Sequence, residues 1–286
     1  ASGPDGPTWP VSRAEGPGLS PALVGDTLVA PFNNLETTAA IIHQHRHELA
    51  AVIVEPVLGA GGMIPADTEF LRGLRVATRE AGVLLILDEI ITFRLAVGGA
   101  QQHYGVTPDL TTLGKVIGGG LPIGAFGGRA EIMGLFDPRR VGHVRHSGTF
   151  NGSPICVAAG LVALELLTPD QITRINALGD RLRVGLDASF RKLGVTGQAT
   201  GLGSLVQTHL TQPVRTYEDG ARSPGWFRTL THLALLNAGI LSGWRTSYNI
   251  STAMTDTDVR LASSTFERVL DELAPALLTH ESGTPA

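Results

Sequence analysis

The sequence predicts an α/β fold, with a mostly parallel central sheet flanked by helices and a C-terminal α+β domain. Three observations carry this. The runs Ala51–Glu55 and Leu84–Leu87 are apolar but too short for buried helices, so they read as core strands. Between them, a stretch opening at Asp67 or Thr68 and stopping near Gly82 places Phe70, Leu71, Leu74 and Ala77 at helical spacing. This makes a β-α-β unit, whose crossover should be right-handed. The chain has 286 residues, 43% hydrophobic and 17% charged, enough apolar material for a large core.

Each element can be justified in order. Residues 1–22 are rich in Gly, Pro and Ser and read as a loop or linker. Leu28-Val29-Ala30 is a short strand candidate, and Asn34 caps a helix running to His45 or beyond. Ile123–Gly127 reads as a strand and Glu131–Phe136 as a short helix. A long helix begins near Ser153 and stops at Pro169, and a second runs from about Asp170 to Leu193. The domain boundary is placed near Thr168, giving a large domain over 23–168 and a small one over 169–286. In the latter, Gly201–Leu210 and Tyr248–Thr252 read as strands, Trp226–Gly239 and Asp256–Leu273 as helices, and Thr279–Ala286 as a frayed end. No internal repeat is visible.

Composition narrows the function. A net charge of -4 and a pI near 6.1 argue against a general nucleic-acid or anionic-membrane binder. No apolar run is long enough to span a bilayer. The single Cys156 cannot form an internal disulfide, which points to a reducing, cytoplasmic compartment. The nine histidines lack metal-ligand spacing, and His43-Gln44-His45-Arg46-His47 reads as a solvated helix face, so no metal is expected.

Chemistry concentrates between Leu84 and Gly124. The strand Leu84–Leu87 delivers Asp88 and Glu89 at its carboxyl end, the edge where α/β sheets bind ligands. Lys115 follows the apolar segment Leu110–Gly114 and precedes a glycine-rich exit. It is one of two lysines, with Lys192, among 22 basic residues. Arginine cannot lose its proton at neutral pH, whereas a desolvated lysine can, and Leu113 and Val116 are apolar neighbours. A strand-end carboxylate with a nearby lysine suits pyridoxal phosphate: the amine links covalently and the carboxylate keeps the ring nitrogen protonated. Taken alone, an Asp at a strand end is more often a turn residue, and a Lys more often solvated surface.

The ordered set raises the specificity. Glu55-Pro56, Asp88-Glu89, Thr112-Leu113-Gly114-Lys115, the glycine-rich exit and His146-Ser147-Gly148-Thr149-Phe150-Asn151 together resemble the class III pyridoxal-phosphate aminotransferases of fold type I. The branch is similar to glutamate-1-semialdehyde aminomutase. Within it, Gly59–Pro65, Leu135–Arg139 and the Ser-Gly-Thr-Phe-Asn run are most similar to β-amino-acid aminotransferases. The resemblance covers about Leu23 to Leu273. It implies a ping-pong transfer of an amino group from an amino donor, such as a β-amino acid, to a 2-oxo acid acceptor. A 2,1-aminomutase is the alternative within enzymes.

The resemblance also implies roles. Lys115 would bear the cofactor and carry the proton, Asp88 would pair with the ring nitrogen, and Ile90 would pack against the ring. Thr149 would reach the cofactor phosphate of the neighbouring subunit in a homodimer. Arg245, in Ser242-Gly243-Trp244-Arg245, would meet a substrate carboxylate. Glu89 is read as a structural acid, and Gly118–Gly120 as positions of close backbone approach. Ile90-Ile91-Thr92-Phe93-Arg94 is one residue shorter than the family pattern, which leaves the donor open. The family's phosphate-binding Gly-Thr loop and ring-stacking aromatic have no match here, so the chain resembles the C-terminal two-thirds of such an enzyme. The reading from a different class follows: an inactive fragment or pseudoenzyme that needs a partner segment.

Overall fold

The computed structural model describes residues 12, 14 and 16–281, with side chains through Pro275. The loop expected over 1–22 lies largely outside them. In chain order the elements are α1 (Pro21–Gly25), α2 (Leu35–Gln44), β1 (Ala51–Val54), β2 (Val57–Leu58), β3 (Ile64–Pro65), α3 (Thr68–Ala81), β4 (Leu84–Asp88), α4 (Gly99–Tyr104), β5 (Leu110–Gly114), β6 (Gly124–Gly128), α5 (Ala130–Met133) and α6 (Pro154–Leu166). There follow α7 (Pro169–Lys192), β7 (Gln198–Leu202), β8 (Leu205–His209), α8 (Tyr217–Ala221), α9 (Gly225–Asn237), β9 (Ser247–Asn249) and α10 (Asp256–Glu281).

The central sheet has the order β1-β4-β5-β6. The first three strands are parallel and β6 is antiparallel, so the sheet is mixed but mostly parallel, as expected. Helix α3 forms where the apolar spacing predicts, closes on Gly82 in the left-handed region (φ 71°), and packs Phe70, Leu71 and Leu74 against Leu85 and Leu87. Asn34 caps α2 by accepting from the Thr37 amide at 3.0 Å. The starts of β4 and β5 are pinned by Asp109. Its carboxylate accepts from the Leu85 amide (2.8 Å), Arg75 (2.7 Å) and Arg129 (3.0 Å). Burial pushes this carboxyl up, but those three donors outweigh it and hold it below the usual range.

The C-terminal sheet β7-β8-β9 is antiparallel. Its core stacks Leu178, Leu182, Leu186 and Phe190 of α7, one turn apart, on Val259, Phe266 and Val269 of α10. Phe190 meets Phe266 edge to face at 5.4 Å. The alanine-sized gap at Gly179 is filled by backbone: a Cβ there would lie 2.0 Å from the Gly203 carbonyl oxygen.

Several expectations need correction. Leu28-Val29-Ala30 is not a strand, having no partner strand among the described residues. Gly201–Leu210 is a hairpin: β7 and β8 pair across a turn at Gly203-Ser204, which the left-handed Gly203 (φ 51°) permits. Strand β1 was expected buried, but among the described residues it is an edge strand with Ile53 61% exposed. Strand β4 is buried on one face only, in strict alternation. No single helix among the described residues is long and apolar enough to cross a membrane.

Candidate active site

The parallel strands β1, β4 and β5 end at one edge, and their carboxyl ends deliver Glu55, Asp88 and Lys115. Alternation along β4 separates the adjacent acids. Leu85, Leu87 and Glu89 face the helix-covered core, while Ile86, Asp88 and Ile90 face the half-open side. Asp88 is half-buried, and Glu89, read from the sequence as a structural acid, is fully buried.

Glu89 is satisfied by its own surroundings. It accepts from Thr92 Oγ1 (2.5 Å), the Ala100 amide (2.9 Å) and the Gln101 amide (2.7 Å), capping α4. Asp88 takes its bonds on one oxygen: Oδ1 accepts from the Ile90 amide (3.0 Å) and Thr112 Oγ1 (3.1 Å). Oδ2 has no hydrogen-bond partner among the described residues. Thr112 is the residue directly opposite Asp88 in the β4–β5 register.

Lys115 begins the 3-10 turn Lys115–Gly118 with φ 48°, a left-handed conformation uncommon outside glycine. Such a backbone costs about 1–2 kcal/mol and is found preferentially at functional positions. Its side chain is exposed, so Leu113 and Val116 do not bury it as the sequence implied, and it makes no ion pair among the described residues. Lys115 lies between two clefts. One, of about 1010 Å³, is lined by Gly59, Ala60, Arg94, Gln207, Trp244 and Arg245 among others. The other, of about 1150 Å³, includes Ile90, Thr112, Phe126, Phe136 and His146. Gly114 gives Ile90 room beside Lys115, since a Cβ there would come within 3.3 Å of Ile90 Cγ2. The glycine-rich exit serves close approach of a helix: a Cβ on Gly119 would lie 2.4 Å from the Ala159 carbonyl oxygen of α6.

The expected residues are not all brought together. Lys115 and Ile90 share one cleft, and Lys115 and Arg245 share the other. Arg245 lies over the Trp244 ring at 4.5 Å and donates to the Ala60 carbonyl. Thr149 is exposed and lines neither cleft, although its neighbours Phe150 and Asn151 line the second.

Two residues were not legible in advance. Glu55 lies within electrostatic reach of Asp88 and Lys115 and accepts from the Gly59 amide at 3.0 Å. Burial pushes its carboxyl up and Asp88 adds to this, while the Gly59 amide and Lys115 pull the other way. The signal was the Glu55-Pro56 pair at a strand end. Arg94 donates to Ser204 Oγ (3.1 Å) and to the Ile250 carbonyl, joining this edge to the C-terminal sheet, and burial lowers its pKa. Only the tertiary fold reveals it.

Known proteins are similar to this chain in sequence and fold. The chain is 45% identical over 236 residues to a β-phenylalanine transaminase of Variovorax paradoxus, covering 82% of this chain and 54% of that protein. It is 39% identical over 267 residues to a glutamate-1-semialdehyde 2,1-aminomutase of Methanopyrus kandleri, covering 91% and 61%. An omega-transaminase structure from Sphaerobacter thermophilus superposes with a TM-score of 0.88 at 41% identity, covering 94% of this chain and 62% of that one. The chain thus spans little more than half the length of the relatives it matches. The family model for aminotransferase class-III matches residues 15–247, which include Asp88, Lys115 and Arg245, and the chain belongs to that family.

Proposed function

We propose that the whole protein is a pyridoxal-phosphate-dependent transaminase that moves an amino group between an amino acid, of the β-amino-acid type, and a 2-oxo acid. The carrying observation is the pairing of Lys115 and Asp88 on adjacent parallel strand ends. The donor set fits the cofactor. Asp88 Oδ2 is left without a hydrogen bond, Lys115 has no ion pair among the described residues, and both face open clefts or the half-open sheet side. When bound, the cofactor supplies an electron sink for the carbon that exchanges its amino group.

Each residue then has a task. Lys115 Nζ would hold the cofactor and, when free of it, would be placed to carry the proton to and from the reacting carbon. Asp88, fixed by Ile90 N–H and Thr112 Oγ1, would keep a proton on the cofactor's ring nitrogen. Ile90, which lines the second cleft with Lys115, would pack against the cofactor ring. Arg245 uses the part of its guanidinium not donated to Ala60 to grip a substrate carboxylate.

The reading includes a homodimer in which Thr149 meets the partner's cofactor phosphate. It is supported by the apolar surface next to Thr149, where Phe150, Ile155, Leu161 and Leu166 are 85%, 69%, 58% and 67% exposed. A cytoplasmic location belongs to the same reading, supported by the free Cys156. A boundary near Thr168, which caps α7 through the Gln171 amide, separates the proposed large and small domains. The 2,1-aminomutase remains a second reading because of the Methanopyrus kandleri relative.

Borohydride reduction of the full-length protein with pyridoxal phosphate, followed by peptide mapping, tests the assignment. Label on Lys115 is expected. Label on Lys192, or on both equally, would refute it. Sedimentation tests the dimer: a monomer that binds the cofactor tightly and turns over would remove the role given to Thr149.

A further inference from the structure

One step beyond the last β1–β4 pair, Val54 with Leu87, Glu55 comes opposite Asp88. Asp88 in turn pairs with Thr112 on β5. Neighbouring strand ends therefore carry Glu55, Asp88 and Thr112 in a row, with strands spaced about 4.8 Å apart. The two acids also share a face of the sheet. Glu55 follows Ile53 by two residues, Asp88 follows Ile86 by two, and Ile53 pairs with Ile86 on the half-open side.

The two neighbours of Asp88 act differently on it. Thr112 Oγ1 donates to Asp88 Oδ1 at 3.1 Å and fixes the carboxylate. Glu55 brings a second acid, itself held by one oxygen. Its Oε2 accepts from the Gly59 amide at 3.0 Å, and its Oε1 has no hydrogen-bond partner among the described residues. A side chain at position 59 would disturb this hold, since a Cβ there would overlap Ile91 Cδ1 and come within 3.0 Å of Glu55 Oε2. The charged groups in electrostatic reach of Glu55 are Asp88 and Lys115. Nearby charges outside that set are committed elsewhere: Glu89 to Thr92, Arg94 to Ser204 and the Ile250 carbonyl, Arg245 to the Ala60 carbonyl. Burial above all raises the Glu55 carboxyl, and Asp88 adds to it. Two like charges at adjacent strand ends repel each other, and a cation set against them relieves both.

We propose that Glu55 is a positioning residue of this site, whose charge beside Asp88 strengthens the hold of that carboxylate on a protonated ring nitrogen. The inference rests on the transaminase reading for the identity of the cofactor. Asp88 supplies the contact, and Glu55 supplies negative potential from the next strand. Glu55 contributes only when ionised, so its effect is present above the pH at which its raised carboxyl loses its proton and is absent below.

The probe is 4-deoxypyridoxine 5′-phosphate, which has the ring and the phosphate but no aldehyde, so it cannot link to Lys115 and needs no turnover. Its near-ultraviolet band reports whether the ring nitrogen is protonated. Bound to the full-length protein, it should keep that proton to a pH about 0.5–1.5 units higher than when bound to Glu55→Gln, the size expected for one charge acting across one or two strand spacings. Asp88 and Lys115 are present in both proteins, so the difference isolates Glu55. Glu55→Asp, which keeps the charge, should retain at least half of the shift. Glu55→Gln still offers an oxygen to the Gly59 amide, so its melting temperature should stay the same. An unmoved or raised midpoint in Glu55→Gln would overturn the proposal. A loss in Glu55→Asp as large as in Glu55→Gln would trace the effect to the Gly59 contact and overturn it too. Asp88→Asn separates the two readings. A midpoint that Asp88→Asn leaves in place, or a probe that the unsubstituted protein does not bind, refutes the cofactor reading and this inference with it. A midpoint lowered by Asp88→Asn but not by Glu55→Gln refutes the role of Glu55 alone.

Discussion

At the carboxyl edge of the four-stranded sheet, Asp88 and Lys115 sit where strands end, half-buried and exposed respectively. In the three-stranded sheet, Gln207, Thr208 and His209 sit inside β8, which is buried at every position. The first region can present charge because strand ends leave side chains facing clefts. The second satisfies only part of its polar groups internally: Thr200 Oγ1 donates to the Gly62 carbonyl at 2.6 Å and His209 Nε2 lies 2.9 Å from the same oxygen, while Thr208 Oγ1 and His209 Nδ1 have no hydrogen-bond partner among the described residues. The groups proposed to react are therefore placed by local strand geometry. Cleft shape and selectivity are placed by contacts between distant segments, with Arg94 and Arg245 tying the two regions together.

Lys115→Ala should break the first region chemically and leave the second intact. Transamination should fall by at least about 10³-fold, in line with loss of a covalent anchor and proton carrier. Lys192→Ala should leave turnover unchanged, because Lys192 bonds Glu267 at 2.5 Å between α7 and α10, far from the clefts. Steady-state kinetics on both variants checks the contrast, and equal losses would erase it.

Asp88→Asn should slow the single-turnover half-reaction by about 10²- to 10³-fold without unfolding the chain. Stopped-flow absorbance would measure it. A variant that keeps its full rate would show that a different group protonates the ring, with Glu55 the candidate.

Glu89→Ala, one residue away, should do the reverse. Three donors would lose their buried acceptor, so the melting temperature should fall by about 6–12 °C. Scanning calorimetry reads this directly. If Glu89→Ala melts normally but loses the chemistry, the roles assigned to the two acids are exchanged.

The smallest effect belongs to His209. Its folded pKa is lowered by burial, so below the unfolded value of about 6.5 the unfolded chain binds a proton that the folded chain resists. Its contribution to stability is complete above that pH and falls as pH drops, by no more than about 1.4 kcal/mol per pH unit for one group. His209→Gln, which retains a donor for Gly62, should flatten melting temperature against pH between 7.5 and 5.5. An unchanged slope would show that the acid sensitivity arises elsewhere.

The sequence by itself determined the parallel β-α-β core, the helix caps, and the order of Asp88, Lys115 and Arg245, because short apolar runs, helical spacing and turn residues are local signals. It also marked Asp88 and Lys115 as chemical candidates through their positions at strand ends. Only the tertiary structure decided which of Asp88 and Glu89 faces the open side, since that depends on which face of β4 the helices cover. Only the structure split Gly201–Leu210 into a hairpin, exposed Lys115 between two clefts, and brought Glu55 within electrostatic reach of Asp88 and Lys115. It alone brought Arg228 on α9, Gln207 on β8 and Arg245 before β9 to one small cavity. Those residues are far apart along the chain and share no periodicity, and their meeting is fixed by how α7, α9 and α10 pack around one small sheet.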